Sequence, residues 1–428
     1  MYSTTVISSG KTSRGITIRD MNYVYVDRGG KTINASIYYG VEEVAGVASN
    51  TLISARSPYT HSSSYAVQNV YYGGSTIDTR IVGSGAGMYV DGGIASKTTI
   101  NSGGYQGVLH GTAYETTVNS GFLEVSFGGT AVNARVASNS KTAITLYNGG
   151  RLEYSSNVTM GGTLEIVGVG NTINRLNTNT NSNIKFVLPG PKNKSDYGLT
   201  LSRDSKNNGI YSVVVSKRQK AGTYRLARHL SNANDTKYTI YMKSSASEPT
   251  QVGSATVNRN LSRNGMTYTL NSKSNSITLT VAIKAGLMRK GTTRNDTLNG
   301  GNDSDIFYGG KGNDTINGVN GRDVAIYDAT AWGKDVIRKT SGTMTILFNG
   351  LEKRDILFKK SNGNMVITNR KDKSQTITVN SWNDSTHNVA YTDSINSFRS
   401  YLNQTNPTSS TINNVRKSTW QKAGLTAS

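Results

Sequence analysis

From residue 291 the chain repeats every nine residues: GTTRNDTLN (291–299), GGNDSDIFY (300–308), GGKGNDTIN (309–317) and GVNGRDVAI (318–326). Each block opens on glycine (Gly291, Gly300, Gly309, Gly318) and carries aspartate at its sixth position (Asp296, Asp305, Asp314, Asp323). The eighth position holds Leu298, Phe307, Ile316 or Ala325. One apolar residue per block cannot bury a face alone, so the blocks must stack. Six residues form a turn, where the glycines, with Gly301, Gly310 and Gly312, permit left-handed backbone and turn carbonyl oxygens inward. The other three form a short strand whose eighth-position side chain fills the core. Successive turns fall on alternate sides of such a roll, so Asp296 is expected to pair with Asp314 and Asp305 with Asp323. A hard cation seeking about 6–8 oxygens then finds a carboxylate and several carbonyls in each flanking turn. Without it the stacked carboxylates repel one another, and folding is expected to depend on metal.

The blocks resemble the RTX repeats of proteins exported by bacterial type I secretion. The third block matches the GGxGxDxUx pattern throughout, whereas Thr292, Arg294, Asp303 and Val319 depart from it. The resemblance implies that the cation is calcium, and that a chain unfolded at low cytosolic calcium is threaded out and folds outside. Residues 345–394 resemble the segment that closes such rolls, since an open roll exposes a pairing edge. The tail, 393–428, with the run NSFRSYL (396–402) and the ending AGLTAS, is a candidate uncleaved secretion signal on the same resemblance.

Residues 1–170 hold a second, irregular repeat. Short runs of alternating β-formers close on glycine: YVYVDRGG (23–30), TTINSGG (98–104), LEVSFGG (123–129) and ITLYNGG (144–150). A parallel β-helix or β-roll, right-handed, is the economical stack. Proline-containing ARSPYTHSSSY (55–65) reads as a protruding loop, and the many tyrosines as ladders along the solenoid faces. The units resemble the AIDA-type repeats of autotransporter adhesin passengers, which implies a stiff adhesive stalk. No room follows them for a membrane barrel.

Residues 171–290 read as strands without the glycine period, fitting a sandwich or a flattened continuation of the solenoid. This segment has 19 Lys and Arg against 4 Asp and Glu, most of the net charge of +21. Its aromatic-interleaved cations, in SKRQK (216–220) and RLARH (225–229), suit an anionic polysaccharide or host-cell glycans better than nucleic acid; a merely solubilising surface is equally open.

The resulting expectation is an all-β chain: solenoid 1–170, basic β-rich domain 171–290, calcium-binding parallel β-roll 291–328, β-rich cap 329–392 and tail 393–428. There is no cysteine, so thiolate sites and disulfides are excluded. No run approaches a membrane span of about 18 apolar residues, and the N-terminus lacks a Sec-type leader, so the chain is expected to be cytosolic or to leave by a route that does not read its N-terminus; the RTX and AIDA-type resemblances imply an extracellular or bacterial cell-surface protein. His61, His110, His229 and His387 lie too far apart for HExxH, and Glu42 and Glu43, the adjacent acids of the solenoid, point to opposite faces of a strand. A non-enzymatic protein is therefore expected, adhesin-like on the AIDA-type resemblance. A self-associating matrix or surface-layer component and a polysaccharide lyase or epimerase are the alternatives.

Overall fold

The computed structural model describes residues 3–425 apart from 56–64, 138–142, 156–158, 189–195, 203–204, 208, 217–218, 231–236, 244–249, 258–259, 264, 330–331, 340, 394 and 396–408. The loop expected at 55–65 and the run 396–402 lie almost wholly or wholly outside the described residues.

Apart from a helix near the C-terminus the described residues are nearly all β, a parallel solenoid followed by a β-roll. A rung consists of three short strands, as in Gly104–Leu109, Thr112–Tyr114 and Thr117–Val118, after which Gly121–Ser126 begins the next rung in parallel register on Gly104–Leu109. Alternation explains the core. In the first strand of each rung the inward side chains stack as Val26, Val44, Val70, Val90, Val108, Val125, Leu146, Ile166 and Phe186. The third strands stack Ile18, Ile37, Ile53, Ile81, Ile100, Val118 and Val136. Between them the second strands contribute Ala48, Ala95, Ala113 and Ala131. Small residues facing large ones let the three sides meet, and each buried Ile or Val contributes about 1.5–3 kcal/mol.

Parallel stacking runs past residue 170, through Asn183–Val187 and Ile210–Ser216 to Lys237–Lys243. There the direction reverses: Thr250–Thr256 pairs antiparallel with Lys237–Lys243, and Ser276–Ile283 antiparallel with Gly222–Arg228. These hairpins cover the edge that a parallel stack would leave open. The tyrosines expected in ladders divide. Tyr23 stacks on Tyr25 at 6.3 Å on the outer face, whereas Tyr211 and Tyr238 meet at 5.3 Å inside the terminal rungs.

The roll has two facing sheets. One stacks Ala285–Lys290, Ser304–Tyr308, Arg322–Asp328, Thr343–Asn349 and His387–Thr392; the other begins Thr297–Asn299, Thr315–Gly318, Lys334–Lys339. Leu298, Phe307, Ile316 and Ala325 are buried together, as their shared position in the block requires. The antiparallel strands Ile356–Ser361, Asn364–Asn369 and Thr376–Val379 follow on the second sheet. The helix Ser409–Lys422 sets Val415, with Ala423 and Leu425 beyond it, against Ile306, Val324, Ile326 and Leu347.

One buried acid stands in the solenoid core. Glu42 is fully buried, accepting hydrogen bonds from Thr32 Oγ1 and Gln68 Nε2, both at 2.7 Å, while Glu43 points outward and accepts from Asn69. Burial pushes the Glu42 pKa up against the pull of those two donors. The folded state thus favours the protonated form, and its contribution to stability is lost as pH rises above the ordinary carboxylate range. Glu42→Gln keeps both contacts if Thr32 reverses its role. It is expected to raise solenoid stability at pH 8 by on the order of 1–3 kcal/mol, the range for desolvating a polar group, and to flatten the pH dependence. Thermal melts of both forms from pH 4 to 9, followed by far-UV circular dichroism, measure this; parallel pH profiles would refute it.

Candidate metal centre

The four nonapeptides form two columns of turns. On one side Thr297 pairs with Thr315 and that strand with Val336; on the other Ile306 pairs with Val324 and that strand with Thr345. The expected pairs are brought together by a repeated contact. The Asp296 amide donates to Asp314 Oδ1 at 2.8 Å, and the Asp305 amide to Asp323 Oδ1 at 2.9 Å.

The glycines have two jobs, one of which differs from the expectation. Gly310 and Gly312 adopt φ of 87° and 111°, the left-handed backbone foreseen for the turns. The block-opening glycines Gly300, Gly309 and Gly318 do not. A Cβ on any of them would lie under 3.0 Å from Oδ2 of the aspartate five residues later, Asp305, Asp314 or Asp323. The first glycine is a cradle for the carboxylate, not a conformational joint. Gly291 lies against the backbone of Gly309, and the Gly301 amide donates to Asp305 Oδ2 at 2.7 Å.

A fifth aspartate belongs to the first column. The Asp314 amide donates to Asp335 Oδ1 at 2.9 Å, repeating the Asp296–Asp314 contact one turn on, and Gly333 sits on Gly312. Sequence reading missed it because the step from Asp314 to Asp335 is 21 residues where the earlier step is 18. The local signal was present: GKDVI (333–337) repeats the GNDTI of 312–316.

The chemistry of this column is that of an incomplete ligand set. Asp314 and Asp335 are each 1% exposed, and Oδ2 of each is buried without a hydrogen-bond partner. The Tyr327 hydroxyl and the Gly333 amide face the Asp335 carboxyl, yet Oδ2 is left open. Burial, then the neighbouring Asp314 charge, pushes the Asp335 pKa up to about 7, and burial raises that of Asp314. Half-buried Asp296 differs: the amide and hydroxyl of Thr292 bond its Oδ2 and hold its pKa down. Among the described residues no three carboxylate or imidazole groups converge, so a cation here must draw most of its oxygens from the turn backbone. Two buried, partnerless carboxylate oxygens in stacked glycine turns fit a hard divalent cation.

Residues 290–325 match the RTX calcium-binding nonapeptide repeat in four copies. These are calcium-binding repeats. No curated protein matches the chain. A solved structure, the crystal structure of a TibC-catalysed hyper-glycosylated TibA fragment, is similar at 17% identity over 81% of this chain and 87% of that one, with a TM-score of 0.28. At that score the likeness carries nothing further about this chain.

Other polar groups outside the roll are dispersed. A recess of about 370 Å³ at a solenoid corner, lined by Glu153, Tyr154, Asn174 and Arg175 among others, contains a single carboxylate among the described residues, where glycoside chemistry requires two. His110 pairs with Asp91 at 3.1 Å in the open, and His229 Nδ1 contacts the Leu201 carbonyl. No helix among the described residues is long and apolar enough to cross a membrane.

Proposed function

We propose that this is a secreted or surface-displayed, adhesin-like protein of a bacterium, in which the solenoid presents a binding surface and the RTX roll makes folding depend on calcium. The observation that carries the reading is the pair of open, buried oxygens on Asp314, inside the calcium-binding repeats, and on Asp335, which stacks on it one turn beyond them. Leaving them unpaired opposes folding, and calcium removes the penalty, stabilising by RT ln(1 + [L]/Kd), about 2.7 kcal/mol per site at a hundredfold excess. A chain kept loose where calcium is scarce and ordered where it is plentiful suits export as an unfolded thread, with 393–428 as the candidate signal. Solenoid 1–170, basic segment 171–290, roll 291–328, cap 329–392 and tail 393–428 are the division of labour that goes with this reading.

An adhesive role has its own support. The outer face of the first solenoid sheet exposes Tyr23, Tyr25, Tyr71 and Phe122, with Glu43 and Glu124 between the rings. Rings with a polar tip beside carboxylates are suited to sugar hydroxyls. Some of the basic segment is used internally, since Arg225 and Arg228 both lie over the Tyr197 ring.

Calcium titration of the full chain tests the reading. All three tryptophans, Trp332, Trp382 and Trp420, follow the nonapeptides, so their emission reports the roll and its surroundings rather than the solenoid. Saturable change in tryptophan emission with a gain of β-structure is expected. Identical spectra and melts in calcium and in chelator would overturn it.

A further inference from the structure

The two columns of turns are chemically unequal. In the first, Asp296, Asp314 and Asp335 follow one another, and the last two each keep one oxygen open. In the second, every carboxylate oxygen has a partner from the protein. Asp305 accepts from the Leu287 and Gly301 amides, and Asp323 from the Asp305 amide and from the ammonium of Lys339. That Lys339 Nζ to Asp323 Oδ2 distance is 2.6 Å, with side-chain exposures of 2% and 0%.

Register shows how the lysine comes to be there. Strand pairing sets Lys339 beside Gly318, so it stands where the next turn of the second column would have its opening glycine. Met344 pairs with Asp323 and so occupies the place of that turn's aspartate. A Cβ on Gly318 would approach both Asp323 Oδ2 and Lys339 Cδ, so the bare backbone there gives the lysine stem its passage. One turn thus exchanges two features together: the carboxylate that would complete a metal pair is replaced by methionine, and a fixed cation arrives. In the first column the equivalent turn keeps its aspartate, Asp335, and among the described residues no cation pairs with it.

We infer that Lys339 is a built-in cation standing in for a metal ion, so that calcium binds the Asp296–Asp314–Asp335 column and the Asp305–Asp323 column is closed by a buried ion pair. This rests on the calcium reading and refines it: the number of ions follows the first column alone, and Asp335, beyond the matched repeats, is a ligand. A covalently tethered ammonium needs no calcium, so half of the roll is neutralised before any metal arrives.

The test is to count ions by isothermal titration of the full chain with calcium alone, in wild type, Asp335→Asn, Asp323→Asn and Lys339→Met. Asp335→Asn is expected to lower the count by one and Asp323→Asn to leave it unchanged, while Lys339→Met, which frees the Asp323 carboxylate, adds an ion. A count lowered as much by Asp323→Asn as by Asp335→Asn would overturn the inference while leaving the calcium reading intact. No calcium uptake by wild type would overturn both. Should Lys339→Met fail to fold, the comparison of the two asparagine variants, each isosteric with the residue it replaces, still decides.

Discussion

Asp314→Asn is expected to stabilise the roll in chelator and destabilise it in calcium. Asparagine Oδ1 can still accept the Asp296 amide, so the contact between the first and third turns survives, as does the donation from residue 314 to Asp335 Oδ1. What disappears is a carboxylate that burial and the nearby Asp296 make costly to ionise. Removing that charge in the metal-free roll is expected to gain about 1–2 kcal/mol. In calcium the balance reverses, because Asp314 lies between the turns of Asp296 and Asp335 and serves any ion on either side. At a hundredfold excess over Kd the loss is about 2.7 kcal/mol for one site and about twice that for two. For a unit of this size that lowers the melting temperature by roughly 10 °C or more. Trp332 packs 5.2 Å from Tyr327 and 5.8 Å from Phe348 in the roll core, so tryptophan emission during melting follows the relevant transition. A variant whose melts shift equally and in the same direction in calcium and chelator would show that the open oxygens of Asp314 and Asp335 are not awaiting a metal.

How far the sequence disclosed this molecule depends on whether a constraint shows as residue identity or only as conformation. The nonapeptide turns were legible because a carboxylate cradled against bare backbone admits glycine alone at Gly300, Gly309 and Gly318. The first corner of the solenoid rung was legible for a similar reason. The second corner was not. Asn34, Asn50, Asp78, Lys97, Glu115 and Asn133 occupy one column there, all left-handed, with φ between 53° and 56°. Each donates its amide to a carbonyl of the following rung, as Lys97 does to Tyr114 and Glu115 to Val132. Left-handed backbone costs a residue with a Cβ only about 1–2 kcal/mol, so the ladder can impose the conformation on lysine or glutamate and leave no pattern to read. Asp335 was hidden differently, by a turn three residues longer than the period. Lys339 carries no motif at all: a lysine near a run of aspartates reads as a solvated charge until strand register places it in the empty position of a turn.

The paired glycines of the first corner yield the second large effect, and here neighbours of the same type are expected to behave differently. Gly128 has φ of 85°, and nothing lies within 4 Å of where its Cβ would be. Gly128→Ala therefore costs only the left-handed backbone, about 1–2 kcal/mol, and Gly128→Asn less, because asparagine tolerates that region. Gly129 is not left-handed. Its Cβ would drive into the Val108 carbonyl of the preceding rung and meet the Ser126 carbonyl at 3.0 Å. Those are backbone atoms in a hydrogen-bonded stack, where Thr130 N–H is bound to Gly111 O and Arg151 N–H to Gly129 O, so they cannot swing aside as a side chain would. Gly129→Ala must force adjacent rungs apart and is expected to cost more than about 4 kcal/mol, in the range reserved for steric or network failure. Because a solenoid is held by nearest-neighbour interfaces, the damage should appear as lost amide protection in the rungs either side of residue 129 while the roll stays folded in calcium. Hydrogen exchange on Gly128→Ala, Gly128→Asn and Gly129→Ala, with tryptophan emission as the control for the roll, measures it. Equal costs at the two positions would mean that the corner selects glycine for its backbone angle alone and that the rungs can separate by an ångström without penalty, which the continuous valine and isoleucine ladders inside them argue against.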